Sequence, residues 1–520
     1  MALLARVSYP LGYTNRGRRM KRILLLATLF AFTPVSIAQE EEKEEDKPVP
    51  EAKTWVTQHS ATVGGRKIDY TVTAGTMLMT NDEEEPIALV GFTAYTKDDA
   101  DKGTRPIMFA YNGGPGSASL WLHMGILGPQ RAVVTDAGFT NNGPYERVEN
   151  AYSIIDEVDL VMIDPVGTGF AKPVGKGKGE DFWGVDQDIE SVSEFIVQYL
   201  TENGRWASPK YVLGESYGGI RTGGVAYYLL TRKMVALNGV ILVSPFMEMA
   251  VGFAGIGVDL PHVMLIPTFA ATARYYGLLD HDQPDLEAYM AEVRDFAMNE
   301  YAPALLVGST LPDDKRQALL ARLEHYTGVS AEYWDLANLR LDEGRFGKEL
   351  QRMTGKTTGR IDSRFAGHMI NEVGENMNYD PFMSAVGPGF LAAFMDYYTE
   401  DLGVTDIGNY SAMGGVSDWD WRHAQPDLGG FKSPIPNTSI DLTFAMKRNP
   451  SMRVLVQQGY YDMATPHLAT EYYMEHMDLP DELRDNITLE HYEAGHMMYI
   501  HDASMVKFKD DLARFIRGGE

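Results

Sequence analysis

Residues 211 to 219 read Tyr-Val-Leu-Gly-Glu-Ser-Tyr-Gly-Gly, an apolar stretch that stops on a serine set among glycines. No other stretch restricts the fold as much. Val212 and Leu213 suit a buried strand, and Ile220 to Leu230 suits a helix, so the chain must turn sharply between them. Gly-x-Ser-x-Gly at such a junction is the pattern of a nucleophile elbow. It predicts that a side chain at 214 or 218 would strike a neighbouring strand or helix. It also predicts that Ser216 holds a strained backbone, with its hydroxyl raised above the sheet. The N–H groups that open the next helix would face that hydroxyl, where negative charge develops.

The surrounding chain supplies the sheet. Residues 54–97 read as β-rich segments separated by Gly64-Gly65 and Asn81-Asp82, hence antiparallel strands. Short apolar strands follow at 106–111, 158–163 and 239–243, with a helix at about 186–200. Strand patterns return at 452–457 and 487–492, and an amphipathic helix at about 503–516 closes the chain. Apolar strands alternating with helices mean a mostly parallel sheet covered on both faces, with any site at the carboxyl ends of the strands. Residues 248–435 have a different texture, helical and loop-rich with many methionines and aromatics. They read as an inserted cap between a first core part, 54–247, and a second, 436–520.

Residues 1–38 read as a signal peptide: a basic start at Met20-Lys21-Arg22, an apolar run from Ile23 to Phe32, and Ser36-Ile37-Ala38 before the cut. Residues 39–53 read as an acidic, disordered tether. The expectation is an exported protein, periplasmic or secreted, with no membrane association after cleavage. A formal charge of −26 argues against nucleic acid and anionic lipid as partners. With no cysteine, disulfides, thiolate metal sites and cysteine nucleophiles are excluded. A hydrophobic fraction of 44% is enough for a core that needs no such staples.

A serine hydroxyl needs a neutral histidine to take its proton and a carboxylate to orient that histidine. On a sheet of this kind the chain order is serine, aspartate, histidine. Asp462 follows the strand at 452–457 in Gly459-Tyr-Tyr-Asp462, and His496 follows the strand at 487–492 in Gly495-His-Met497. Tyr217, after the nucleophile, offers one backbone N–H to an oxyanion. The glycine loop from Asn112 to Gly116 offers the other, because an N–H approaches substrate closely where no side chain intervenes. That loop lacks the Lys-Ser/Thr ending of a phosphate cradle. No cofactor is implied. No metal is implied either, because His467, His476, His491 and His501 do not form a His-x-x-x-His pair beside a carboxylate.

Together, Asn112-Gly-Gly-Pro-Gly116, Asp164-Pro-Val-Gly-Thr-Gly-Phe170, Gly214-Glu-Ser-Tyr-Gly-Gly219, the Gly-x-x-Asp462 turn and Gly495-His-Met497 resemble the serine carboxypeptidases, most of all their exported bacterial branch. The resemblance spans about residues 55 to 515. It implies an α/β-hydrolase fold with an inserted, mainly helical cap. It also implies Ser216 as nucleophile, His496 as base and then acid, and Asp462 as orienting carboxylate. Gly114 and Tyr217 would form the oxyanion hole. Asn112, Gly113 and Glu215 would bind a peptide's free C-terminal carboxylate, and Met497 would line the leaving-residue pocket. Glu215 must then be protonated to face another carboxylate, which favours acidic pH. One position departs from the pattern: many eukaryotic members carry a second clamp glutamate where this chain has Ile126. An esterase or acyltransferase using the same triad, and a silent binding protein on the same scaffold, are the other readings.

Overall fold

The computed structural model describes residues 49–518 except 141, 406, 407 and 430. The expected signal peptide and most of the expected tether lie outside the described residues. At Lys53 the chain is already paired, its backbone donating to Thr76 Oγ1 at 3.2 Å and accepting from Thr76 N–H at 2.8 Å.

The main sheet is laid down by β1 (Thr54–Val63), β2 (Arg66–Thr80), β3 (Pro86–Lys97), β4 (Ile107–Tyr111), β5 (Asp159–Asp164), β6 (Lys210–Glu215), β7 (Gly239–Val243), β8 (Arg453–Gly459) and β9 (Ile487–Tyr492). In space the order is β1-β2-β3-β5-β4-β6-β7-β8-β9. The first three strands and the β3–β5 pair are antiparallel, and every pair from β5 onward is parallel. β1 alternates in exposure along its length, as a strand with one wet face must. β4 to β7 are buried throughout, which is why their centres are apolar, with charged residues only at the ends of β5 and β6.

Successive residues of these strands enter different cores. Phe109, Val212, Val240 and Leu242 face one, and Met108, Leu213, Ile241 and Val243 the other. Helices α1 (Val185–Glu202) and α2 (Gly218–Arg232) cover the first face, and α6 (Asp502–Arg517) the second.

β7 and β8 are parallel neighbours, yet about two hundred residues separate them in the chain, and most of these lie off the sheet. This insertion holds α3 (Leu260–Tyr275) and α4 (Pro381–Asp396) among shorter helices, and α5 (Ser439–Arg448) leads back to the sheet. Two small ribbons, 356–358 with 366–368 and 423–424 with 432–433, interrupt its helical texture. The insertion is divided between the two cores. Val263, Phe269, Trp334 and Phe346 join the core of the first face, whereas Phe382, Phe390 and Phe394 join that of the second. The architecture is an α/β-hydrolase sheet with a mainly helical insertion.

Candidate active site

The elbow forms at the carboxyl end of β6. Ser216 has φ +64, a left-handed conformation that a non-glycine residue adopts only when its surroundings enforce it. Three backbone bonds do so: Ser216 N–H to Val243 O at 3.0 Å, and Ser216 O accepting from Gly219 and Phe246 N–H at 2.8 and 2.9 Å. Gly214 is required, since a Cβ there would sit 2.3 Å from Thr222 Oγ1 and 2.4 Å from Gly218 O. The expectation for Gly218 is corrected. A Cβ there would meet its nearest neighbour, Tyr111, at 3.5 Å, which is ordinary contact. The second tight position is Gly219, whose Cβ would lie 2.8 Å from the Pro245 side chain and 2.9 Å from Phe246 O.

β8 and β9 bring the other two predicted residues to the same rim. Asp462, fully buried, accepts on Oδ2 from His496 Nδ1 at 2.7 Å. Four further donors hold the carboxylate: Ala464 and Thr465 N–H at 2.8 and 2.9 Å on Oδ1, and Thr465 Oγ1 and Gln458 Nε2 at 2.7 and 3.3 Å on Oδ2. With Nδ1–H committed to Asp462, His496 Nε2 is left as the acceptor. Burial works against the imidazolium, but Asp462 and the Glu215 carboxylate outweigh it and hold the His496 pKa above the usual histidine value. Ser216 and His496 line one cavity of about 220 Å³. No hydrogen bond joins Ser216 Oγ to His496 among the described residues. Catalytic hydrogen bonds of this kind are commonly long in unliganded sites and close when substrate binds.

The predicted oxyanion donors also meet here. A Cβ on Gly113 would fall 2.5 Å from Tyr217 N and 2.6 Å from Glu215 O, so the glycine loop lies directly against the elbow. Gly114 has φ +110, open to glycine alone. Neither Gly114 N–H nor Tyr217 N–H donates to another group among the described residues.

Beside Ser216 stands a buried carboxyl–amide pair. Glu215 Oε1 accepts from Asn112 Nδ2 at 2.7 Å, and Oε2 accepts from Tyr499 OH at 2.8 Å. Leu122 N–H donates to Asn112 Oδ1 at 3.0 Å, which fixes the amide with its Nδ2 toward Glu215. Burial pushes the Glu215 carboxyl up to about 7, against the opposing pull of His496, Tyr499 and Asn112. Met497 lines the same cavity. Ile126 is buried in the core of the second face and does not line it.

Sequence reasoning missed Tyr499, Thr465, Gln458 and the bracing segment 360–364. That segment ties the insertion to the loops after β8 and β9, which carry Asp462 and His496. Ile361 O accepts from His496 N–H at 2.8 Å, Arg360 O from Met463 N–H at 3.1 Å, and Asp362 Oδ2 from Gly495 N–H at 3.1 Å. Tyr499 lies three residues past the histidine and Thr465 three past the aspartate, so their nearness is the one signal in the sequence.

Comparison with known proteins agrees with the resemblance carried by the motifs. The family model described as serine carboxypeptidase matches residues 89–257, which include the glycine loop and the elbow. Serine carboxypeptidase-like 50 of Arabidopsis thaliana is 26% identical over 236 residues, 44% of this chain and 46% of that protein. Serine carboxypeptidase-like 36 of the same plant is 29% identical over 150 residues, 27% of this chain and 28% of that protein. The chain thus spans less than half the length of these curated relatives. Among solved structures, Kex1Δp, a prohormone-processing carboxypeptidase from Saccharomyces cerevisiae, superposes with a TM-score of 0.52 at 15% identity, covering 86% of this chain and 91% of its own. That likeness concerns the fold.

Proposed function

We propose that this chain is a serine-type carboxypeptidase that removes C-terminal residues from peptides. The observation that carries the reading is the buried Glu215–Asn112 pair beside the left-handed Ser216: a carboxyl whose pKa burial pushes up to about 7, hydrogen-bonded to an amide that lines the same cavity. A protonated carboxyl and an amide N–H are what a carboxylate ligand needs; an ionised carboxyl would repel it. An enzyme that holds the substrate's free C-terminus there cuts the last peptide bond.

In the proposed mechanism His496 Nε2 takes the Ser216 proton as Oγ attacks the scissile carbonyl. The resulting oxyanion is held by the N–H groups of Gly114 and Tyr217. The imidazolium, stabilised by Asp462, then protonates the leaving amine. Water, activated by the same imidazole, releases the acyl group from Ser216.

Glu215 and His496 are coupled. The state with Glu215 protonated and His496 neutral holds as many protons as the state with both ionised. A substrate carboxylate at the clamp favours the first of these, and so favours the form in which His496 is a base. Above about pH 7 Glu215 loses its proton and the clamp repels its ligand. At low pH His496 becomes cationic and catalysis stops. The expected profile for free-acid peptides is a bell whose upper limb falls through about pH 7.

The test is a panel of N-blocked dipeptides as free acids, amides and methyl esters, assayed from pH 4 to 9 on the unmodified enzyme, with fluorophosphonate labelling of Ser216 and the resulting loss of turnover as a separate check. The reading expects the acids to be cleaved at least about tenfold faster than the amides at pH 5, a charge-assisted bond's worth. Equal rates on acid and amide would overturn the clamp. Glu215 is the one carboxyl among the described residues lining the cavity, and so thin a clamp favours one further reading, an esterase or an acyltransferase on the same triad, which the esters and an added alcohol acceptor would reveal. We propose export by a signal peptide within residues 1–38, on the sequence alone. Among the described residues no helix is long and apolar enough to cross a membrane.

A further inference from the structure

The cavity above Ser216 has two apolar walls that belong to different cores. Phe246 and Trp421 pack against the core of the first face, and Phe253 meets both rings edge-on, with centroids 5.5 and 6.2 Å away. Trp121, Ile361, Met383 and Met497 pack on the core of the second face, the one that also holds Tyr499, the partner of Glu215. A residue anchored at Glu215 by its α-carboxylate would therefore lay its side chain along the second wall.

That wall ends in a cation. Arg360 is the one lysine or arginine among the described residues lining the cavity. Its backbone is pinned on both sides, N–H donating to Asp380 Oδ2 at 3.2 Å and O accepting from Met463 N–H at 3.1 Å. The side chain thus starts from a fixed point beside the Asp462 loop. Its guanidinium is poorly occupied. Glu343 Oε1 stands 3.4 Å from Nε, in a pair whose side chains are 43% and 34% exposed, and no side-chain hydrogen bond of Arg360 is present among the described residues. An exposed pair of that length contributes little and yields readily to a competing carboxylate. The facing charges are Glu343, Asp380, Glu215 and His496. The Asp380 oxygens are taken by the N–H groups of Arg360, Ile361 and Phe382, and Glu215 by Asn112 and Tyr499. The guanidinium fork keeps donors for one planar anion, which it binds best in two-point fashion. On a chain of formal charge −26, where distant charges are screened beyond roughly 10 Å, the arginine at the edge of the pocket is a local selector.

We propose that Arg360 receives a side-chain carboxylate on the leaving residue, so that peptides ending in glutamate or aspartate are preferred. The proposal rests on the carboxypeptidase reading above.

The experiment compares N-blocked dipeptides ending in Glu, Leu and Lys on the wild type, Arg360→Gln and Arg360→Glu. Arg360→Gln is expected to lower kcat/KM for C-terminal Glu about 10- to 100-fold and to change C-terminal Leu by less than about threefold, the range of a lost charged hydrogen bond. Arg360→Glu is expected to reverse the order of Glu and Lys. Equal losses on all substrates would overturn the proposal and leave Arg360 a brace for the Asp462 loop. Calorimetric binding of the same dipeptides to Ser216→Ala, with and without Arg360→Gln, separates the two levels. If no peptide is turned over, the carboxypeptidase reading fails, while tighter Glu binding that disappears with Arg360→Gln still supports the selector. Binding indifferent to Arg360 overturns it.

Discussion

Ser216, Asp462 and His496 follow the ends of β6, β8 and β9, whereas Phe253, Arg360, Met383, Met413 and Trp421 reach the same cavity from separate turns and helices of the insertion. The rim inherits its geometry from strand register: Val243 of β7 pairs with both Glu215 and Gln457, and Gly459 of β8 pairs with Tyr492. Parallel pairing leaves little freedom in where those strands stop, so the loops after them converge. The parts of the walls that the insertion supplies have no such frame. They are positioned by packing on two different cores and by the few backbone bonds of residues 360–364. A reaction can therefore be held constant on the rim while the walls are rebuilt for another substrate.

Attacks on the rim should have the largest effects. Ser216→Ala is expected to lower kcat on the order of a millionfold. Single-turnover assays check this, and a variant keeping a tenth of the rate would break the assignment. Asp462→Asn should cost about 10⁴-fold, because an amide between Thr465 N–H and His496 favours the wrong tautomer. A pH-rate profile with an unshifted optimum and near-normal rate would argue against that role.

The part of the insertion remote from the cavity is expected to respond in stability rather than chemistry. Trp334, fully buried with Nε1 donating to Thr327 Oγ1 at 3.0 Å, joins the core of the first sheet face. Trp334→Ala should destabilise by about 3–5 kcal/mol. Because that core is shared with the sheet, melting should stay a single transition. A separate early transition would show the insertion to be an independent unit and sharpen its contrast with the sheet.

Glu215→Gln tests the boundary between rim and wall. Its amide still donates to a carboxylate but cannot ionise. For free-acid peptides the fall in rate through about pH 7 should vanish, with about a tenfold change or less at pH 5. Amidated peptides should show no such difference. An upper limb unchanged in the variant would assign that limb to another group.

Much of this molecule is legible in the residues alone. The strands β4 to β7 stand out by their apolar centres because both faces of a central parallel strand are buried. The elbow, the glycine loop and the candidate base and carboxylate stand out because each needs a particular residue at a particular strand end. The elbow glycines are legible only in part. Gly218 has room for a methyl group, and the crowding falls on Gly219, where Pro245 and Phe246 from the next strand's loop press in. That detail depends on a neighbour about thirty residues away.

By itself, then, the sequence specified the groups that can do chemistry and the kind of sheet that carries them, since both leave short-range patterns. Folding alone decided that Tyr499 would join Asn112 on Glu215, that Thr465 and Gln458 would gather on Asp462, and that the insertion would split across two cores with Arg360 at the pocket's edge. Those are encounters between side chains distant in the chain or turned by local bends. No periodicity records them, because they are settled by how whole layers pack.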